Sequence, residues 1–170
     1  MKVILFRHGP AGRRDPSRWP DDAARPLTTR GAVRARQAAR GLARLEPQIG
    51  AILTSPLERA SATARELQVS IGGRKPEILE ALAPGGSYRR LLEALGTRAS
   101  DETVVLVGHE PDLGKLAGTL LFGAPAALPI KKAGACAISF VGPPHAGKGQ
   151  LAWFLPPRSL RRLARRKETA

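Results

Sequence analysis

The sequence predicts an α/β fold: a three-layer α/β/α sandwich with a largely parallel sheet and an antiparallel edge. Three observations carry this expectation. Short, nearly continuous apolar runs at Val3–Phe6, Ala51–Thr54 and Thr103–Val107 read as strands buried on both faces. Segments with helical caps and an apolar stripe of helical period lie between them. Two final strands, Cys136–Val141 and Gln150–Leu155, follow one another across a Gly-Pro loop, as the arms of an antiparallel hairpin do.

Each element has a local reason. The first strand ends at Arg7-His8-Gly9, and residues 10–27, rich in Pro, Asp and Arg, form a loop long enough to suggest a functional role. Thr28 or Thr29 caps a helix to about Leu45, with Ala32, Ala35, Ala39, Leu42 and Leu45 along one face. After the second strand, Ser55 with Pro56 and Glu58 has the pattern of a capping box, and Gly72-Gly73 closes that helix. Glu77–Leu82 is a weaker strand. Ser87 caps a helix to Leu95, which Gly96 stops. Thr103–Val107 is the clearest strand, and Pro111-Asp112 opens a helix to about Leu121. Residues 157–167 form a basic terminal helix. No repeat or linker divides the chain, so a single domain over 1–170 is expected.

Composition narrows the function. The chain has 170 residues, 42% hydrophobic and 25% charged, an ordinary globular balance. A lone cysteine, Cys136, excludes an internal disulfide and a Cys-based metal cluster, and three histidines leave little room for a zinc site. No cofactor or metal is expected. The net charge is +14, and 21 of the 28 basic residues are arginine. Aromatic residues are only 4%, so the stacking platforms of single-strand binders are missing, and the charge does not point first to nucleic acid. The apolar run at residues 3–6 is too short for a leader, and no window approaches a membrane span; with the lone cysteine this favours the cytoplasm.

Three parallel strands would deliver their carboxyl ends to one edge, where ligands of open α/β sheets bind. Those ends carry Arg7-His8-Gly9, Thr54-Ser55-Pro56 with Arg59 one helical turn beyond, and Gly108-His109-Glu110. Two histidines and two arginines then meet beside two helix N-termini, which makes an anion site containing a histidine. Ser55 reads as a helix cap rather than a nucleophile. Arg25 reads as a solvated loop residue within reach of the pocket, and His145 as exposed. Residues 142–149 imitate a P-loop, but Gly149 stands where Ser or Thr should be and a strand follows, so they read as a hairpin loop.

These blocks resemble the histidine phosphatase superfamily: Arg7-His8-Gly9, Leu27-Thr28 with Gly31, Ser55-Pro56 with Arg59, Thr63 and Ala64, and Gly108-His109, in order over residues 1–121. The short length, Gly108-His109-Glu110-Pro111-Asp112-Leu113 and the ending Trp153-Phe154-Leu155-Pro156-Pro157 look most like its SixA-type branch, the phosphohistidine phosphatases. The resemblance implies a phosphoglycerate mutase-like fold and a metal-independent phosphatase. It implies His8 as the nucleophile that becomes phosphohistidine, Arg7 and Arg59 as ligands of the phosphoryl oxygens, and His109 as a further donor. Glu80, after the third strand, is the candidate general acid, with Glu110 the other carboxylate in view. The substrate would be a phosphorylated protein or a small phosphorylated molecule. The alternatives are a small-molecule phosphomonoesterase and a non-catalytic basic binding module. The basic terminus is a candidate dock for an acidic partner.

Overall fold

The computed structural model describes residues 1–73 and 75–165. Six strands form one sheet: β1 (Lys2–Arg7), β2 (Ala51–Thr54), β3 (Glu77–Ile78), β4 (Thr103–Gly108), β5 (Ala135–Ser139) and β6 (Gln150–Leu155). Their spatial order is β3-β2-β4-β1-β5-β6. β1, β2, β3 and β4 run parallel, while β5 is antiparallel to both β1 and β6. Five helices complete the fold: α1 (Thr29–Leu45), α2 (Glu58–Ile71), α3 (Tyr88–Gly96), α4 (Asp112–Phe122) and α5 (Pro157–Leu163). This is the phosphoglycerate mutase-like arrangement.

The alternation of side chains along β1 builds the three layers. Val3 and Leu5 face a cluster with Leu91, Leu95, Leu113, Leu116 and Leu120 of α3 and α4. Ile4 and Phe6 face the opposite cluster, with Ala38, Ala39 and Leu42 of α1, Ala60, Ala64 and Leu67 of α2, and Leu160 of α5. All four β1 residues are fully buried, as a central strand covered on both faces requires. The second layer is lined largely by alanine and packs closely. A Cβ on Gly41 would lie 1.8 Å from the Leu160 carbonyl oxygen, so α5 rests directly on the α1 backbone.

Thr28 caps α1 by accepting from the Gly31 N–H at 2.9 Å, and Gly72 ends α2 in the left-handed region at φ 71°. Several elements depart from the sequence pattern. α2 begins at Glu58 with no side-chain cap, because Ser55 is turned to other partners described below. The stripe of α1 runs through Ala35, Ala38, Ala39 and Leu42, and Leu45 is exposed where the helix passes the end of the sheet. β3 is two residues long. Glu80–Leu82 is a 3₁₀ helix that leaves the sheet once Leu79 N–H has bonded to the Thr54 carbonyl at 2.9 Å. β5 is set earlier than expected, at Ala135–Ser139, because the register with β1 pairs Ala135 with Phe6; Val141 is fully exposed beyond it. The terminal helix ends at Leu163, and the expectation for Arg166 and Lys167 falls outside the described residues. Among the described residues no helix is long and apolar enough to cross a membrane.

Candidate active site

The strand register brings the chemistry together. Arg7 pairs with Gly108 across β1 and β4, and Thr54 pairs with Val107 across β2 and β4. The next residue of each strand is therefore His8, Ser55 and His109, side by side at the carboxyl edge. Two backbone bonds continue the ladder by one step: His8 N–H to the Gly108 carbonyl at 3.1 Å, and Ser55 N–H to the Val107 carbonyl at 2.9 Å. The two imidazole centroids lie 5.0 Å apart. His8, Arg59 and His109 are 6%, 5% and 4% exposed, so three polar side chains are withdrawn from bulk water at one place.

Gly9 and Gly31 allow this approach. A Cβ on Gly9 would meet Ala35 Cβ at 3.0 Å, and one on Gly31 would meet the Pro10 carbonyl oxygen at 1.8 Å. The chain leaving β1 thus lies against the start of α1. Gly9 N–H donates to Thr63 Oγ1 at 3.0 Å, and that hydroxyl donates to the Arg59 carbonyl at 2.7 Å, which ties the turn after β1 to the first turn of α2.

His8 Nδ1 lies 2.7 Å from the Gly9 carbonyl oxygen. A carbonyl only accepts, so Nδ1 carries the proton and the neutral ring keeps its lone pair on Nε2. Burial pushes the His8 pKa down to about 3, and the nearby His109, Arg59 and Arg7 act in the same direction against the Gly9 hydrogen bond. His109 is lowered to about 4, first by burial and then by Arg59. Its Nε2 is 2.8 Å from Ser55 Oγ. Ser55 already accepts from the Leu57 N–H at 3.3 Å, so its own proton can go to Nε2, leaving Nδ1–H as a donor.

The arginines are held from behind. Arg7 donates through Nη1 to the Ile130 carbonyl at 2.9 Å. Arg59 donates to the Asp22 carbonyl at 2.9 Å and pairs with its carboxylate at 3.1 Å. Arg25 pairs with the same carboxylate at 2.8 Å and donates to the Gly12 carbonyl at 2.6 Å. Arg25 is therefore a largely buried part of the site rather than a solvated loop residue. The Arg25 hydrogen bond, with the charge of Arg59 behind it, holds the Asp22 carboxyl below its ordinary range. Arg7 Nε, Arg59 Nε and His109 Nδ1 are buried with no hydrogen-bond partner among the described residues.

Glu80, by contrast, is exposed two residues beyond β3, and its carboxylate makes no hydrogen bond or ion pair among the described residues. Glu110 is used structurally, accepting from the Ile130 N–H at 2.8 Å. Cys136 is buried and its thiol is pushed up to about 12 by desolvation, which keeps it protonated and inert. His145 is exposed, and residues 142–149 form the hairpin loop between β5 and β6. Among the described residues no group of three His, Cys, Asp or Glu could hold a metal ion. Asp22 and Lys132 were not picked out by sequence pattern. Asp22 had one signal, its place in an Asp- and Arg-rich loop too long to be a plain connection.

The histidine states are directly measurable. In an NMR titration, both rings are expected to stay neutral from neutral pH down past about pH 5 and to protonate near their lowered values. In the unfolded chain the same rings take up protons near 6.5. Below that pH the unfolded state binds protons that the folded state refuses, so this contribution to stability is lost as the pH falls towards 4. Protonation of His8 in the free protein between about pH 6 and 7 would contradict the assignment.

A neutral buried imidazole among cations, beside buried N–H donors without partners among the described residues, makes a site suited to an anion. Comparison with known proteins agrees. The model of the histidine phosphatase superfamily (branch 1) matches residues 3–83. The chain is 30% identical over 165 residues to phosphohistidine phosphatase SixA of Escherichia coli, covering 95% of this chain and 97% of that protein. An uncharacterized protein of Picosynechococcus is 42% identical over 137 residues, covering 79% of this chain and 82% of its own. A structure of the protein histidine phosphatase SixA complexed with tungstate superposes with a TM-score of 0.78 at 26% identity, covering 94% of this chain and 99% of that one. The chain belongs to the histidine phosphatase superfamily and is an enzyme of the phosphatase class.

Proposed function

We propose that the protein is a metal-independent phosphatase that passes its phosphoryl group through His8, and that its substrate is phosphohistidine in a protein. The observation that carries this is the set of buried donors Arg7 Nε, Arg59 Nε and His109 Nδ1, which lack partners among the described residues. Buried donors are almost always paired, and an unpaired set beside a neutral imidazole suits a tetrahedral oxyanion. Phosphoryl transfer needs mainly positioning and charge stabilisation, and guanidinium groups supply the charge here.

In this reading the His8 Nε2 lone pair attacks phosphorus as the bond from phosphorus to the substrate imidazole breaks. That imidazole departs neutral, because its ring is already protonated when it leaves. Water then attacks phosphorus on His8, the N–P bond returns its electron pair to Nε2, and the protonated phosphate leaves. Arg7, Arg59 and His109 hold the three non-bridging oxygens throughout.

Two features support a P–N substrate over an alkyl phosphate. An alkoxide needs a proton from a well-placed acid, whereas Glu80 is exposed and unanchored. The protein is also similar along its length to enzymes described as phosphohistidine phosphatases. A protein substrate is supported by the basic surface that α1 and α5 form. α1 carries five arginines and α5 three, with no acidic residue on either helix, and the two pack together. Arg34, Arg158 and Arg165 act on Arg161, whose pKa is lowered chiefly by burial. Such a face suits an acidic region of a partner.

The test is a panel of phosphohistidine peptide, sugar phosphates and nucleotides, with wild type and Glu80→Gln. The phosphohistidine peptide is expected to have the highest kcat/KM by at least about tenfold, with little change in Glu80→Gln. A sugar phosphate or nucleotide that outperforms it, with strong dependence on Glu80, would replace this reading by a small-molecule phosphomonoesterase.

A further inference from the structure

The segment that enters β5 is built with unusual care around one side chain. Ile130 is fixed at both polar atoms: its N–H donates to Glu110 Oε1 at 2.8 Å, and its carbonyl accepts from Arg7 at 2.9 Å. Ala133 N–H donates to the carbonyls of both Arg7 and His8, at 3.1 and 3.2 Å. Gly134 N–H donates to the Lys131 carbonyl at 2.7 Å, and its own carbonyl accepts from the Arg7 N–H at 3.1 Å. Ala133 holds φ at 59°, a conformation that residues with a Cβ rarely adopt, and both Ile130 and Ala133 are 1% exposed. Lys132 stands between these anchors, one residue from the atom bonded to the His8 carbonyl.

Its ammonium has no carboxylate and no hydrogen-bond partner among the described residues. Lys132 is an exposed residue whose pKa is lowered first by partial burial of the ammonium and then by Arg7, Arg25 and Arg59, which lie within electrostatic reach. The nearby carboxylates are engaged: Asp22 by Arg25 and Arg59, and Glu110 by the Ile130 N–H. A loop that holds a fourth cation against three guanidinium groups raises the energy of the empty site. An anion bound among them offsets the part of that repulsion that solvent and Asp22 leave unscreened.

We propose that Lys132 is a further phosphoryl-binding residue, a cation that the Ile130–Gly134 turn holds over the phosphate site beside His8. Arg7 and Arg59 offer planar forks, and Lys132 adds a compact charge that follows the phosphoryl group from substrate to His8 to free phosphate. Because that contact persists through the reaction, it acts as uniform binding: it lowers KM more than it raises kcat. The assignment rests on the phosphatase reading above.

The test compares wild type, Lys132→Met, Lys132→Gln and Lys132→Arg. Inorganic phosphate is titrated calorimetrically, an aryl phosphate serves for kinetics, and the melting temperature is read without phosphate. In Lys132→Met the phosphate Kd and the KM are expected to rise about tenfold, with kcat within about twofold of wild type. Lys132→Arg recovers most of the affinity. The phosphate-free melting temperature of Lys132→Met stays level or rises, because a repulsive charge has been removed. That sign separates binding from a structural role, in which melting temperature and affinity would fall together and overturn the proposal. Lys132→Gln repeats the comparison should the methionine variant fold poorly. Equal phosphate affinity in wild type and both neutral variants overturns the role of Lys132 and leaves the phosphatase reading intact. A wild-type protein that binds no phosphate overturns both.

Discussion

His8→Ala is expected to lower turnover of phosphohistidine peptide or an aryl phosphate by roughly 10⁴-fold or more, the loss typical when a nucleophile is removed. The expectation follows from the ring's hydrogen bond. With Nδ1–H committed to the Gly9 carbonyl at 2.7 Å, Nε2 is the only nucleophilic atom the residue offers. Neither His109 nor Ser55 can replace it, because each is spent on the other at 2.8 Å. The same variant should carry no acid-labile, base-stable phosphoryl label after quenching, whereas wild type carries one per site during turnover. The buried Gly9 carbonyl loses its partner in this variant, so a lower melting temperature is expected, and rates are compared well below it. Undiminished hydrolysis by His8→Ala, with a label still present, would mean that phosphorus is attacked by another group.

The sequence displays most of this site because its parts sit where strands end. An apolar run followed by Arg7-His8, and another followed by Gly108-His109, declare both their burial and their edge without knowledge of the partner strands. Parallel pairing then aligns them automatically, as the pairing of Arg7 with Gly108 shows. What pattern could not reveal were contacts across the loop. Asp22 lies 37 residues before Arg59, and no periodicity links a 3₁₀ turn to a helix start. Ser55 misleads for a related reason. Ser-Pro before Glu58 is a good local capping pattern, yet the hydroxyl serves His109, a residue 54 positions away. β3 is short because only Leu53 and Thr54 offer it a partner, and local propensity carries no such limit.

Arg59→Ala is expected to lower kcat/KM by about 10²- to 10³-fold, the usual effect of removing one preorganised donor from developing charge. Arg59→Lys should recover less than tenfold of that loss. The reason lies in how the guanidinium is divided. Two of its nitrogens hold Asp22, through the carbonyl at 2.9 Å and the carboxylate at 3.1 Å, and Nε is left buried and unpaired. A lysine has one nitrogen for three tasks. Either it follows Asp22 and leaves the phosphoryl oxygen, or it faces the oxygen and leaves Asp22 without that partner. Asp22→Asn separates orientation from charge. It loosens the brace on Arg59 while raising the net positive charge of the site by one, so kcat should fall while inorganic phosphate binds as well as before or more tightly. If Arg59→Lys kept half or more of the wild-type kcat/KM, the planar geometry would be irrelevant and Arg59 would act as a point charge alone.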